Sequence, residues 1–135
     1  MSNIIEITAC DNQLILIAIE ENGGNSFDLC NIKSGYHYKV GVKLQIEEGE
    51  FSESFNANGT GHDLNESVVI KLPKGKYSLV YAGVNWGASY NFNFDLNNKN
   101  YNLKNNPNKP LTGVIWSQGN ENITFEVLQK EMSLS

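Results

Sequence analysis

Arginine is absent from this chain: all ten basic side chains are lysines. Its planar fork is the favoured bidentate ligand for phosphate and for guanine edges. With fifteen acidic residues and a net charge of −5, the chain is a poor candidate for binding nucleic acid or for holding an anionic membrane by charge. Cysteine is scarce. Cys10 and Cys30 have no metal or redox spacing, and the reading is two partly buried free thiols, with a single disulfide as the alternative. Long apolar runs are missing too. The longest, Leu14 to Ile19, spans six residues, against the roughly 20 that a membrane-spanning helix needs. The first residues, MSNIIEITACDNQ, contain neither a basic region nor a long apolar segment. No signal peptide is expected, so the default location is the cytoplasm, with leaderless release or release by lysis as other routes.

Catalytic signals are equally thin. There are two histidines, His37 and His62, and no Gly-x-Ser-x-Gly elbow, no zinc spacing and no phosphate-cradling glycine loop. Glu47, Glu48, Glu50 and Glu53 could supply a carboxylate pair of the glycosidase kind. Four glutamates beside a turn read instead as a solvated edge that discourages sheet-to-sheet aggregation. An enzyme is not expected. No segment carries an apolar stripe at helical spacing, and no internal repeat of about 20 to 50 residues suggests a propeller or trefoil.

Alternation is what the chain does have. In Lys76–Val84, Tyr77, Leu79 and Tyr81 share one face. In Tyr90–Leu96, Phe92, Phe94 and Leu96 oppose Asn91, Asn93 and Asp95. A period of two, greasy on one side and amide-rich on the other, marks half-buried antiparallel strands. The same reading places strands at Ile4–Ala9, Gln13–Glu20, Phe27–Ile32, Tyr36–Ile46, Ser67–Leu72, Lys99–Lys104, Leu111–Ser117 and Asn122–Leu128, with a weaker one at Phe51–Phe55. That makes about ten short strands separated by turn signals. At 135 residues and 15.0 kDa, the chain is one domain with a real core, and the tail after Gln129 reads as frayed. The expected architecture is an all-β, two-sheet antiparallel sandwich, jelly-roll or immunoglobulin-like. Its core is expected to hold Leu14, Leu16, Tyr38, Val40, Val42, Leu44, Val69, Leu79, Tyr81, Phe92, Phe94, Ile123, Phe125 and Val127. Trp116 reads as core packing, and His37 as a solvated strand residue.

Twenty asparagines have two readings. An AT-rich genome favours Asn, Lys and Ile, and exposed amides also hydrogen-bond neutral polar ligands such as sugars. The Asn run from Asn91 to Asn102 reads as an ordinary solvent face. Two loops concentrate the chemistry. Asn56–Glu66 gathers Asn56, Asn58, His62, Asp63, Asn65 and Glu66 around two glycines. Such oxygens can grip vicinal hydroxyls, and Asp63 with Glu66 could hold calcium; a mobile polar loop is the plainer alternative. Asn85–Tyr90 sets Trp86 in a glycine-containing turn between Asn85 and Tyr90. There an exposed indole could stack on a pyranose ring, cap the end of the core, or sit in an oligomer contact.

In size, acidity and Asn/Gly/Trp loops the chain is similar to small, leaderless bacterial lectins of sandwich type. That resemblance implies a carbohydrate-binding module, with avidity from homo-oligomerisation because single shallow sugar sites are weak. The competing expectation is a protein-interaction or assembly subunit of structural, toxin-accessory or inhibitor type. Behind it stands a membrane-active β protein.

Overall fold

The computed structural model describes residues 2–35, 38–87, 90–104, 112–117 and 123–129. Tyr36, His37, the loop at 105–110, and the tail after 129 lie outside the described residues. Those that are described form ten strands: β1 (Asn3–Glu20), β2 (Ser26–Ser34), β3 (Val40–Glu48), β4 (Phe55–Gly59), β5 (Leu64–Leu72), β6 (Gly75–Asn85), β7 (Asn91–Leu96), β8 (Lys99–Lys104), β9 (Gly113–Ser117) and β10 (Thr124–Val127). Among them no helix is long and apolar enough to cross a membrane.

The long first strand organises the rest. Its N-terminal half pairs with β3 on one side and β7 on the other. Its C-terminal half pairs with β2 and β6. The strand orders are therefore β5-β3-β1-β7-β8 around the first half and β4-β2-β1-β6 around the second. β10 and β9 lie in succession along the far side of β6. Because β1 belongs to both, the ten strands make one continuous sheet, nearly closed into a barrel. The sheet is mixed: β2 with β4, and β3 with β5, run parallel. Between the members of each parallel pair the chain lays one strand in the other half, which supplies the crossover that a parallel neighbour requires.

The two strands expected at Ile4–Ala9 and Gln13–Glu20 are thus one. Asp11-Asn12 reads as a turn by composition but continues the strand, and its peptide bond is cis. Another correction falls at residues 51–66. The stretch before Phe55 is irregular, and much of the expected loop Asn56–Glu66 is strand β4, a short turn and the start of β5.

A continuous core requires β1 to keep its greasy side inward through both halves. It does so by changing phase. Ile5 and Ile7 point in on odd positions, and Cys10, Leu14, Leu16 and Ala18 on even ones. The switch is a bulge: Ile7 faces Phe94 and Ala9 faces Asn93, so Thr8 is the extra residue. An added residue moves every following side chain to the other face.

Aromatic rings fill the interior in two groups. Tyr77 stacks on Phe125 at 5.4 Å. Phe94 contacts Tyr81 at 5.5 Å, Tyr101 at 5.3 Å and Trp116 at 5.6 Å. Twelve of the fourteen expected core residues are buried. Tyr38 is 41% exposed because β3 begins only at Val40, leaving the tyrosine in the preceding turn. Val69 is 51% exposed because Leu64, Ile70 and Leu72 take the inward phase of β5.

Truncating Phe94 to alanine removes the ring that joins three others and should cost about 3–5 kcal/mol. Urea unfolding of Phe94→Ala measures this, and a loss below about 1 kcal/mol would mean the cluster is loosely packed. Both cysteines are buried and free. Burial, reinforced by Asp11, pushes the Cys10 thiol up from 9.0 to about 12. Burial pushes Cys30 up as well, against the Leu16 backbone hydrogen bond that lowers it. As pH rises past about 9 the unfolded chain releases these protons first. Stability is therefore whole below that pH and falls as it climbs toward 12, by up to about 1.4 kcal/mol per thiol per pH unit. Urea midpoints at about pH 8 and about pH 10.5 should show the decline, and Cys10→Ala should lessen it while Cys30 keeps its share.

Candidate functional site

The place where β1 leaves one half-sheet and joins the other is also where the two halves part. Neighbours of β1 diverge there, and a cleft of about 750 Å³ opens between them. Such a volume falls within the range of small-molecule sites, about 300–1,000 Å³. One wall is β1 itself, from the bulge at Thr8 to Asp11. The end of β2 adds Ser34 and Gly35, the approach to β3 adds Tyr38 and Lys39, and the start of β7 adds Asn91 with Tyr90 before it.

Several of these groups are polar yet withdrawn from water. Asp11 is 4% exposed and Ser34 2%. The Oδ1 atom of Asn91 is buried without a hydrogen-bond partner among the described residues. Buried polar atoms are nearly always paired, so this oxygen stands out among the groups around the cleft. Tyr90 is buried, tilted against Phe92 at 6.2 Å. The Tyr38 ring lies against Gly35, where an added Cβ would meet its Cδ2 at 3.1 Å. A larger residue at 35 would displace the ring.

Asn12 ties the cleft to the tryptophan turn. The Trp86 N–H donates to Asn12 Oδ1 at 2.8 Å. Asn12 Nδ2 donates to Asp11 Oδ1 and reaches the Ser34 carbonyl at 3.5 Å. The turn after β4 is tied to the cleft through Lys39. Asp63 Oδ1 accepts the Lys39 N–H at 2.8 Å, and the Leu64 N–H donates to the Lys39 carbonyl at 2.9 Å. One residue of each loop singled out by composition is therefore hydrogen-bonded next to the cleft, Trp86 through Asn12 and Asp63 through Lys39.

Their residues are used differently from what their chemistry suggests. Trp86 is exposed, at 52%. Asn85 is the last residue of β6, 1% exposed and opposite Gly113, so it does not present its amide on the surface. Asn58 Oδ1 accepts both the N–H and the hydroxyl of Thr60, and Asn56 donates to Ser54 at 3.2 Å. Gly59 is there for close approach, since a Cβ would fall 2.7 Å from the Leu64 side chain. His62 is exposed in the turn, while Asn65 and Glu66 are exposed on β5. Calcium wants six to eight oxygens, but Asp63 is turned to the Lys39 amide. Among the described residues no group of three or more His, Cys, Asp or Glu side chains could hold a metal ion. The asparagine run on β7 and β8 is internally bonded: Asn93 to Thr8, Asn100 to Asn93 and Asp95, and Asn102 to Asn100.

Reasoning from sequence passed over Thr8, Asp11, Ser34 and Asn91, and it put Tyr38 in the core. The available signal was Asp11-Asn12 itself, a polar pair wedged between two apolar runs of one strand. Comparison of the chain with protein-family models, with curated proteins and with solved structures finds no match.

Removing the Asn12 side chain should release the tryptophan turn while sparing the core. For Asn12→Ala we expect about 1 kcal/mol of lost stability and faster hydrogen exchange at the Trp86 amide. An unchanged exchange rate there would show that the tether holds nothing.

Proposed function

We propose that the protein is a non-enzymatic carbohydrate-binding module that takes a polyhydroxylated ligand in the cleft between its two half-sheets. One observation carries this reading: an exposed aromatic ring, Tyr38, lines the same cleft as Asn91, whose buried carboxamide oxygen has no partner among the described residues. A sugar presents an apolar ring face and a set of hydroxyls, and that pair of features answers both. Ser34 and Asp11 offer further hydrogen-bonding groups, and Trp86, tethered through Asn12, is a second ring for a longer oligosaccharide. The site so composed differs from the loop set expected from composition. Asn56, Asn58, His62 and Asn65 flank it at most, and Asp63 shapes it through Lys39.

Glycan-array binding by the native protein, lost in Tyr38→Ala and weakened in Trp86→Ala with both variants folded, is the expected outcome. Binding that survives Tyr38→Ala would remove the cleft from consideration.

A second reading is favoured by the outer face of the second half-sheet. Ile15 and Ile17 on β1 lie opposite Ala82 and Val80 on β6, and Val84 lies opposite the exposed Val114. An aliphatic face of this kind is what a subunit interface uses at its centre, so here the protein would assemble with a second copy of itself. Light scattering decides between the readings. A stable dimer that ignores every sugar supports assembly, and a monomer that binds sugar supports the cleft.

A further inference from the structure

We propose that the turn joining β1 to β2 is a modification site: Asn22 deamidates spontaneously through the backbone nitrogen of Gly23, leaving aspartate or isoaspartate at position 22. The inference is independent of the carbohydrate reading, because this turn follows the end of β1 at Glu20 while the cleft lies at Thr8–Asp11. The chemistry needs no partner but water. The Gly23 nitrogen attacks Asn22 Cγ, and the new N–Cγ bond closes a succinimide ring. The Cγ–Nδ2 bond breaks, and the Gly23 proton leaves with that nitrogen as ammonia. Water then opens either carbonyl of the ring. One opening gives aspartate, and the other gives isoaspartate, with the chain running through the side-chain carbon. Both add a negative charge beside Glu20 and Glu21, on a chain already at −5.

A glycine after asparagine leaves the nucleophile open, since no Cβ shields the backbone nitrogen. The chain has two such pairs, Asn22-Gly23 and Asn58-Gly59, and the fold treats them oppositely. Asn22, Gly23 and Gly24 are exposed in the turn. The turn is closed by the Glu20 N–H donating to the Asn25 carbonyl at 2.8 Å and the Gly24 N–H donating to the Glu20 carbonyl at 3.2 Å. Neither bond uses the Gly23 N–H or the Asn22 side chain, and both are unbonded among the described residues. Asn58-Gly59 lies in β4, in parallel register with Lys33 and Ser34 of β2. Asn58 Oδ1 is held by the N–H and the hydroxyl of Thr60, a local bond typical of asparagine. Gly59 is buried against the Leu64 side chain. Ring closure there has to break both bonds to Thr60 and draw the strand away from β2.

Ageing the full chain in warm, mildly alkaline buffer tests this, once folded and once in urea, with peptide mass spectrometry following the amide-to-acid conversion at both pairs. In the folded protein Asn22 should convert at least about tenfold faster than Asn58, which must wait for β4 to open. In urea the two should convert at similar rates, because the difference lies in the fold. Gly23→Ala should slow conversion of Asn22 in both conditions and leave Asn58 unchanged. Alanine fits there: Gly23 is not among the positive-φ glycines, and its Cβ would meet only the side-chain ends of Glu20 and Asn25. An Asn22 that stays intact in the folded protein but converts in urea overturns the proposal, since the turn would then hold Gly23 away from Cγ. Equal conversion of both pairs in the folded protein overturns the selectivity assigned to β4. Undiminished conversion in Gly23→Ala overturns the route through the Gly23 nitrogen.

Discussion

One strand has to serve two neighbourhoods. β1 pairs with β3 and β7 along its first half and with β2 and β6 along its second, and both stretches must face the same core. A straight strand with period-two alternation would carry its inward face unchanged while the sheet around it turns. The extra residue at Thr8 resolves the conflict by resetting the phase, so that Ile7 and Cys10 are both inside. Two further shifts work in the same way: Leu29 is the extra residue opposite Leu16 and Ile17, and Ile115 the extra one opposite Gly83 and Val84. Each lets the strand bend with the sheet instead of exposing its apolar side.

The cleft follows from this solution. Where β1 changes neighbours the half-sheets separate, and the positions just after the bulge face the gap as well as the core. Asp11 and Ser34 are buried there because the backbone puts them there. They tolerate it through hydrogen bonds to Asn12 and to the Gly35 carbonyl. A site built on strand ends is held more rigidly than one built on loops. The two loops that composition singles out become flanking supports, joined to the cleft through the Asn12–Trp86 and Asp63–Lys39 contacts.

Much of the fold was legible in the sequence, for reasons tied to particular residues. Alternation at Tyr77–Tyr81 and Phe92–Leu96 is strong because those strands bury one face only, and both lie where the pattern puts them. It fails where apolar residues are adjacent: Val68, Val69 and Ile70 fit either phase, and Ile70 with Leu72 prevails over Val69. It fails again at Tyr38, an aromatic in register with β3 but placed in the turn before it. The cleft was hardly legible. Its groups come from Thr8–Asp11, Ser34–Gly35, Tyr38–Val40 and Tyr90–Asn91, four segments with no local signature in common. Asparagine content pointed elsewhere, since most of the conspicuous amides bond to their own neighbours.

The all-β character, the position of most strands and the greater part of the core follow from the order of polar and apolar residues alone, because a side-chain period of two survives any arrangement of the strands. The parallel pairings, the merging of two strand segments into β1, the phase change at Thr8 and the convergence on the cleft belong to the tertiary structure. They depend on which strands become neighbours, and partners distant in the chain leave no mark on local spacing.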